Sequence, residues 1–285
     1  MLAKRQKSQR AEGMMAAMTM TPLNARAIID SLSVPALAMF TVEVYDSVGS
    51  TNDVVRERLP AGDSHGMAVL AEEQTQGRGR RGRSWHSPRG ANLYLSLGWR
   101  FHGPADRLSG LSLAIGAMLA EAIATDCDVD LALKWPNDLY YGERKLGGVL
   151  IELLSEKSGA IPVIAGIGLN VNMPVEDIDA IQRPWTDLVT ARGAQVDRNG
   201  LAAQMISQVA SGLSDISDGD MGSWLERWRQ RDFLLGRRVL VEGTPNIAGQ
   251  AAGVDRNGAL LVSTETGQSV AAGGEATLLE IGAAE

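Results

Sequence analysis

Cysteine is nearly absent from this chain of 285 residues, and histidine is scarce. The single cysteine, Cys127, excludes an internal disulfide and a cysteine-built zinc site. That usage fits a reducing compartment, and a cytoplasmic location is expected. The three histidines, His65, His86 and His102, show neither H-x-x-x-H nor H-E-x-x-H spacing, so no histidine-bound metal is expected. No window reaches the ~18 apolar residues of a membrane span. A G-x-x-x-x-G-K phosphate loop, a G-x-S-x-G nucleophile elbow and internal repeats are all missing. Net positive charge is missing too: 27 Lys and Arg against 34 Asp and Glu leave −7 and a pI near 5.1. Non-specific nucleic-acid binding relies on positive surface, so DNA or RNA is not expected as the primary partner.

What is present is an ordinary hydrophobic share, 45%, over a length suited to one large domain with a small one attached. Residues 1–38 read as a leader, partly disordered, basic at first and then methionine-rich. It is a poor signal peptide, and Met14 is an alternative start. A short helix is expected before Pro35. A strand, a turn and a helix follow over 41–60, with Ser50 or Thr51 as cap, Asp53 in the first turn and Pro60 as the stop. "MAVLAEEQ" reads as a buried strand. "ANLYLSLGW" reads as a strand with Leu93, Leu95 and Leu97 on one face. The run 105–124 reads as a long apolar helix. Pro136 forbids a helix across "LALKWPNDLYYGERKLGGVLIELL", which reads as two strands joined at "YGER" with Gly142 in the turn. "IPVIAGIGLNVN" is a further strand, and helical patterns fill about 186–191 and 198–231. Beyond Phe233 the chain turns glycine-rich with short strands and a hairpin at Asn257-Gly258. This predicts a catalytic domain over 39–235 and a small β-barrel over 236–285.

Against the acidic background stands "GRGRRGR", residues 77–83, with four arginines and three glycines. Glycine exposes amide donors and arginine offers a fixed fork for phosphate or carboxylate, which suits a loop closing over a small polyanion. An RNA-binding tail shares that composition, but strand patterns flank this loop on both sides. "KWPND", 134–138, brings Lys134, Asn137 and Asp138 together after a sharp turn; a purely structural turn is the equal alternative. "RKLGG", 144–148, sets a lysine before two glycines. "GIGLNVN", 166–172, lacks the third glycine of a dinucleotide fingerprint, and its glycines mark close approach of a ligand to backbone.

Taken in order, "GSTN", "EEQTQGRGRRGRSW", "KWPND", "RKLGGVLIE" and "GIGLNVN" resemble a biotin protein ligase, of the form without an N-terminal DNA-binding domain. The resemblance covers about 41–235 and extends to the C-terminal barrel. It implies an α+β fold: a mixed-sheet catalytic domain of the biotin/lipoate ligase type, similar to class II synthetases, then a Src-homology-3-like barrel. It implies that biotin and ATP-Mg²⁺ form biotinyl-5′-AMP, from which a lysine of a biotin carboxyl carrier protein takes the biotinyl group. By the same resemblance Ser50, Thr51, Asn52, Gln74, Arg78, Gly79, Arg80, Lys145, Gly166 and Gly168 serve biotin. Arg80, Arg83, Trp85, Asn137, Lys145 and Asn170 serve the nucleotide, with Arg80 and Lys145 catalytic and no protein ligand for the metal. About forty residues precede the catalytic start, too few for a winged helix-turn-helix, so neither DNA binding nor membrane attachment is expected. A homodimer is left open.

The residue chemistry agrees. Adenylation needs no protein nucleophile, because the substrate carboxylate itself attacks the α-phosphate. Positioning and charge stabilisation suffice. No general base for lysine transfer stands out; Asp138 either takes that role or orients Lys145 or an arginine. Two alternatives are a lipoate or octanoate ligase of the same fold and, more distantly, a non-enzymatic RNA-binding protein using the arginine loop.

Overall fold

The computed structural model describes residues 21–59, 66–155, 159–174, 181, 183–243 and 245–279. The expected stop at Pro60, His65 and the first twenty residues of the leader lie outside them.

Two short helices open the described chain where one was expected: α1 (Ala25–Asp30) and α2 (Val34–Met39). Pro35 lies in the first turn of α2, where a missing N–H breaks no helical bond, so it starts a helix instead of ending one. Asn24 and Ser33 cap the pair by accepting from Ala27 N and Ala36 N.

Seven strands form the main sheet: β1 (Phe40–Tyr45), β2 (Gly66–Ala71), β3 (Leu93–Phe101), β4 (Ala132–Lys134), β5 (Asp138–Tyr141), β6 (Arg144–Leu153) and β7 (Ile161–Leu169). Their order is β1-β2-β3-β7-β6-β5-β4. Only β1 and β2 run parallel, so the sheet is mixed, as expected. A parallel pair needs a crossover, and α3 (Thr51–Arg58) lies in it. Val55 of α3 presses so closely on β3 that a Cβ on Gly98 would sit 2.3 Å from it. Ser50 occupies the N-cap position of α3 without a side-chain cap bond. The alternation expected in β3 is not one of burial: the strand is buried along almost its whole length, because α3 packs on it and α6 (Arg198–Ser217) packs on it as well.

The segment 132–153 makes three strands, not two. A cis Trp135–Pro136 peptide turns β4 into β5, and Gly142, at φ +56, turns β5 into β6. The apolar helix α4 (Leu111–Cys127) follows a single 3-10 turn at Ala105–Leu108. Contrary to the expectation that no segment qualifies, Ala105–Cys127 is long and apolar enough to cross a membrane by composition. Its packing is that of a core helix: α6 and α7 (Met221–Arg229) lie against it, and Leu113, Ile115, Leu119 and Ile123 are buried. Each such side chain contributes roughly 1.5–3 kcal/mol on burial. α5 (Leu188–Arg192) precedes α6, and the helical pattern over 198–231 is broken at Asp218–Asp220, where Asp220 caps α7 by accepting from Ser223 N.

The second sheet contains β8 (Arg238–Glu242), β9 (Ile247–Val254), β10 (Leu260–Thr264), β11 (Gly267–Ala271) and β12 (Glu275–Leu278), antiparallel in the order β11-β10-β9-β8-β12. It is the small β domain of Src-homology-3 type. The Asn257-Gly258 hairpin joins β9 to β10, with Asp255 Oδ1 accepting from Asn257 N and Ala259 N. That hairpin seats the small sheet on the large one: Trp135 Nε1 donates to Gly258 O at 3.0 Å, and a Cβ on Gly258 would lie 2.8 Å from Gly110 Cα.

Candidate active site

Between the two sheets lies a cavity of about 490 Å³. Ser50, Thr51, Asn52, Gln74, Arg78, Gly79, Arg80, Arg83, Trp85, Asn137, Lys145, Gly166, Gly168 and Asn170 all line it. Residues spread over 120 positions of sequence therefore meet because strand ends β2, β6 and β7, the N-terminus of α3 and the arginine loop share one end of the sheet.

One half of the cavity is walled by the hydroxyls and amides of Ser50, Thr51, Asn52 and Gln74, with the carboxylate Glu152 behind Asn52. Gln74 Oε1 accepts from Thr51 N at 2.9 Å and from Thr51 Oγ1 at 3.1 Å, while Gln74 Nε2 donates to Ser87 Oγ at 3.1 Å. Ser96 Oγ donates to Asn52 Oδ1 at 2.5 Å, and Asn52 Nδ2 donates to Glu152 Oε2 at 2.6 Å. Gly166 and Gly168 on β7 make room for these walls. A Cβ at Gly166 would lie 2.4 Å from Asn52 Oδ1, and one at Gly168 would lie 2.5 Å from the Trp85 ring. The Asn52 and Trp85 side chains thus lie directly against these glycines, and all four residues line the cavity.

The other half is charged. Lys145 Nζ is 2.5 Å from Asp138 Oδ1 and 5.4 Å from the Trp85 ring centroid. Asp138 therefore orients Lys145. Trp85 Nε1 is buried with no protein partner among the described residues, which leaves a donor in the cavity wall. Lys134, also in the wall, sits 5.5 Å from the Tyr140 ring centroid, and burial pulls its pKa below the usual lysine range. Asn137 Nδ2 donates to Val149 O at 2.7 Å and Asn170 Nδ2 to Thr186 O at 3.0 Å, which fixes both amides.

The arginine loop is a short hairpin with Arg78 bridged to Ser84 and Gly79 N donating to Arg83 O at 2.7 Å. Arg81 turns it in the left-handed region at φ 57. Its four arginines go to different partners. Arg78 forks onto Asp53 of α3, at 2.7 and 2.5 Å. Arg80 donates to Gly274 O at 3.2 Å, Arg81 to Glu242 Oε2 at 3.1 Å, and Arg83 to both oxygens of Glu275, one at 2.8 Å. Arg183 also donates to Glu275, at 3.0 Å. Arg83 and then Arg183 hold the Glu275 carboxyl far below its ordinary range, at about 2. Burial, followed by the neighbouring Arg81, lowers the pKa of Arg80.

Sequence reasoning missed Arg183, Trp185 and Glu275, which line the cavity, and Glu152, which holds Asn52. Lys134 was visible in "KWPND" but not singled out as a site residue. Glu275 carried no local signal, since it comes from β12 of the small sheet.

Comparison with known proteins agrees with this geometry. Residues 44–172 match the model of the biotin/lipoate A/B protein ligase family, and residues 234–278 match that of the biotin protein ligase C terminal domain. The bifunctional ligase/repressor BirA of Escherichia coli (strain K12) is 38% identical over 245 residues, 85% of this chain and 74% of that protein. The biotin--[acetyl-CoA-carboxylase] ligase of Mycobacterium tuberculosis is 31% identical over 246 residues, 84% of this chain and 89% of that protein. The structure of biotin protein ligase from Aquifex aeolicus in complex with biotin and ATP superposes with a TM-score of 0.71 at 30% identity, covering 84% of this chain and 98% of that one. The fold defines a ligase domain of the biotin/lipoate type with a small β domain after it. The chain belongs to the biotin protein ligase family.

Proposed function

We propose that this chain is an ATP-dependent biotin protein ligase that forms biotinyl-5′-AMP and transfers the biotinyl group to one lysine of a biotin carboxyl carrier domain. The observation that carries the reading is that one cavity has hydroxyls and amides along one wall and arginines and Lys145 along the other. Biotin's uncharged fused rings suit the half built from Ser50, Thr51, Asn52 and Gln74, with Gly166 and Gly168 behind. The triphosphate suits the half that holds Arg80, Arg83 and Lys145, with Asn137, Asn170 and Trp85 on the nucleotide side.

A carboxylate oxygen of biotin attacks the α-phosphorus, the bond to the β-phosphate oxygen breaks, and pyrophosphate leaves. Lys145, oriented by Asp138, and Arg80 answer the charge on the reacting carboxylate and α-phosphate. Mg²⁺ arrives with ATP and shields the leaving pyrophosphate. In the second step the carrier's neutral lysine amine attacks the acyl carbon, AMP departs, and the amine loses a proton. Arg78 holds the loop against α3 through Asp53, and Gly79 closes its hairpin onto Arg83, which keeps water from the mixed anhydride.

Incubation of the protein with biotin, ATP and Mg²⁺ should yield biotinyl-adenylate and pyrophosphate by mass spectrometry, then biotinylated carrier domain when that is added. Equal or better activation of lipoate in the same assay would reject the biotin assignment in favour of a lipoate ligase.

A further inference from the structure

Away from the cavity, the first residue of α6 carries a buried charge that the proposed chemistry does not use. The Arg198 side chain is 1% exposed and makes an ion pair with Glu72, whose side chain is 10% exposed. Arg198 Nη1 donates to Glu72 Oε2 at 2.8 Å and to Asn92 O at 3.2 Å; Nη2 donates to Glu72 Oε1 at 3.3 Å and to Thr21 O at 3.0 Å. Glu72 Oε1 also accepts from Leu23 N at 2.5 Å. The next residue of α6, Asn199, adds a clasp: its Oδ1 accepts from Asn24 N at 2.8 Å and its Nδ2 donates to Pro22 O at 3.1 Å.

A buried ion pair is weak evidence for stability, because desolvation of both charges offsets their attraction. What this pair joins is more telling. Glu72 follows the last residue of β2 and stands two before Gln74. Asn92 precedes the first residue of β3, and its Oδ1 accepts from Val171 N at 2.9 Å, next to Asn170. One guanidinium therefore ties the ends of β2 and β3 directly, and the end of β7 through Asn92. Those ends carry Gln74 and Asn170, and Gln74 in turn holds Thr51. Neither Arg198 nor Glu72 lines the cavity.

We propose that Arg198 and Glu72 are positioning residues for the biotin half of the site, and that Thr21–Asn24 is part of the same clamp. This rests on the biotin ligase reading. The effect passes through Gln74 and Thr51, so it falls on biotin affinity more than on ATP.

The test compares the full-length protein with Arg198→Lys, which keeps the charge but not the fork. Biotin KM should rise about tenfold, while ATP KM and kcat stay within about twofold to threefold of wild type. Glu72→Gln serves as the second variant. A third measurement needs no variant: coupling is reciprocal, so biotin should slow hydrogen exchange at the Leu23 amide of the wild-type protein. An unchanged biotin KM in a folded variant, or Leu23 exchange indifferent to biotin, overturns the proposal and leaves a structural tether. A wild-type protein that makes no biotinyl-adenylate would instead defeat the ligase reading itself.

Discussion

Lys145 is the residue on which the proposed chemistry concentrates. It pairs with Asp138, faces the Trp85 ring and lines the cavity. Lys145→Ala should lower adenylate formation on the order of 100- to 1000-fold, as removal of a preorganised charge-stabilising group does. Near-normal pyrophosphate release would reject that role. Gly168 makes a second prediction. The Cβ of Gly168→Ala would lie 2.5 Å from the Trp85 ring, so the indole must shift. Overpacking of this kind costs roughly 1–3 kcal/mol, and thermal denaturation together with biotin KM should both register it. The positions singled out from motifs all line the cavity because each motif is a strand end, a helix start or a turn at the same end of the sheet. Glu275 was illegible for the opposite reason: it reaches the site only through packing of β12 of the small sheet, and nothing near it in sequence differs from an ordinary surface carboxylate. Glu152 ends the "RKLGGVLIE" motif on β6, but its role depends on Asn52, a hundred residues away, which meets it only in the folded chain.

At the scale of elements, the arginine loop is a hairpin pinned from two sides, by Asp53 of α3 and by the carboxylates Glu242 and Glu275 of the small sheet. Arg80, half-buried, donates to Gly274 O and forms no ion pair among the described residues, unlike Arg78, Arg81 and Arg83. Arg80→Gly should still form adenylate but release it, and biotinylation of unrelated proteins' lysines should rise. A variant that retains the adenylate as wild type does would remove Arg80 from this role. The strands and the long helix were legible from periodicity. The misread elements have physical causes: β4 has three residues, too few for a pattern, and Pro35 is equally compatible with ending one helix or starting the next.

For the whole molecule, the junction between the two sheets is the place where pH should act. Asp232 pairs with Leu133 beside β4, one oxygen has no partner among the described residues, and burial pushes its carboxyl up to about 6 from 3.8. The folded protein therefore holds this proton more tightly than the unfolded chain. Stability from this group is greatest at acid pH and declines as pH rises from about 4 to about 6, by at most roughly 3 kcal/mol. Asp232→Asn should abolish that slope, which denaturant unfolding at pH 4.5 and 7 would detect; an unchanged slope would assign it elsewhere. Glu275 has the opposite sign. Its contribution is complete above about 4.5 and is lost as pH falls toward about 2, and Glu275→Gln should remove that part of the acid transition followed by tryptophan fluorescence. Composition had made the paired-domain arrangement legible, but not how the domains meet. That meeting depends on Trp135, Gly258 and the arginines, which face one another only in the folded chain.

The pairing of the loop also bears on its behaviour toward salt. Asp53, Glu242 and Glu275 act as counterions that are covalently tethered to the protein. In the proposed reading a polyphosphate entering the cavity would exchange places with Glu275 at Arg83 and liberate no ion into solution, so it would gain little of the entropy that makes binding to bare cationic surfaces steeply salt-dependent. The affinity for ATP should accordingly fall far less between low and high salt than four clustered arginines suggest.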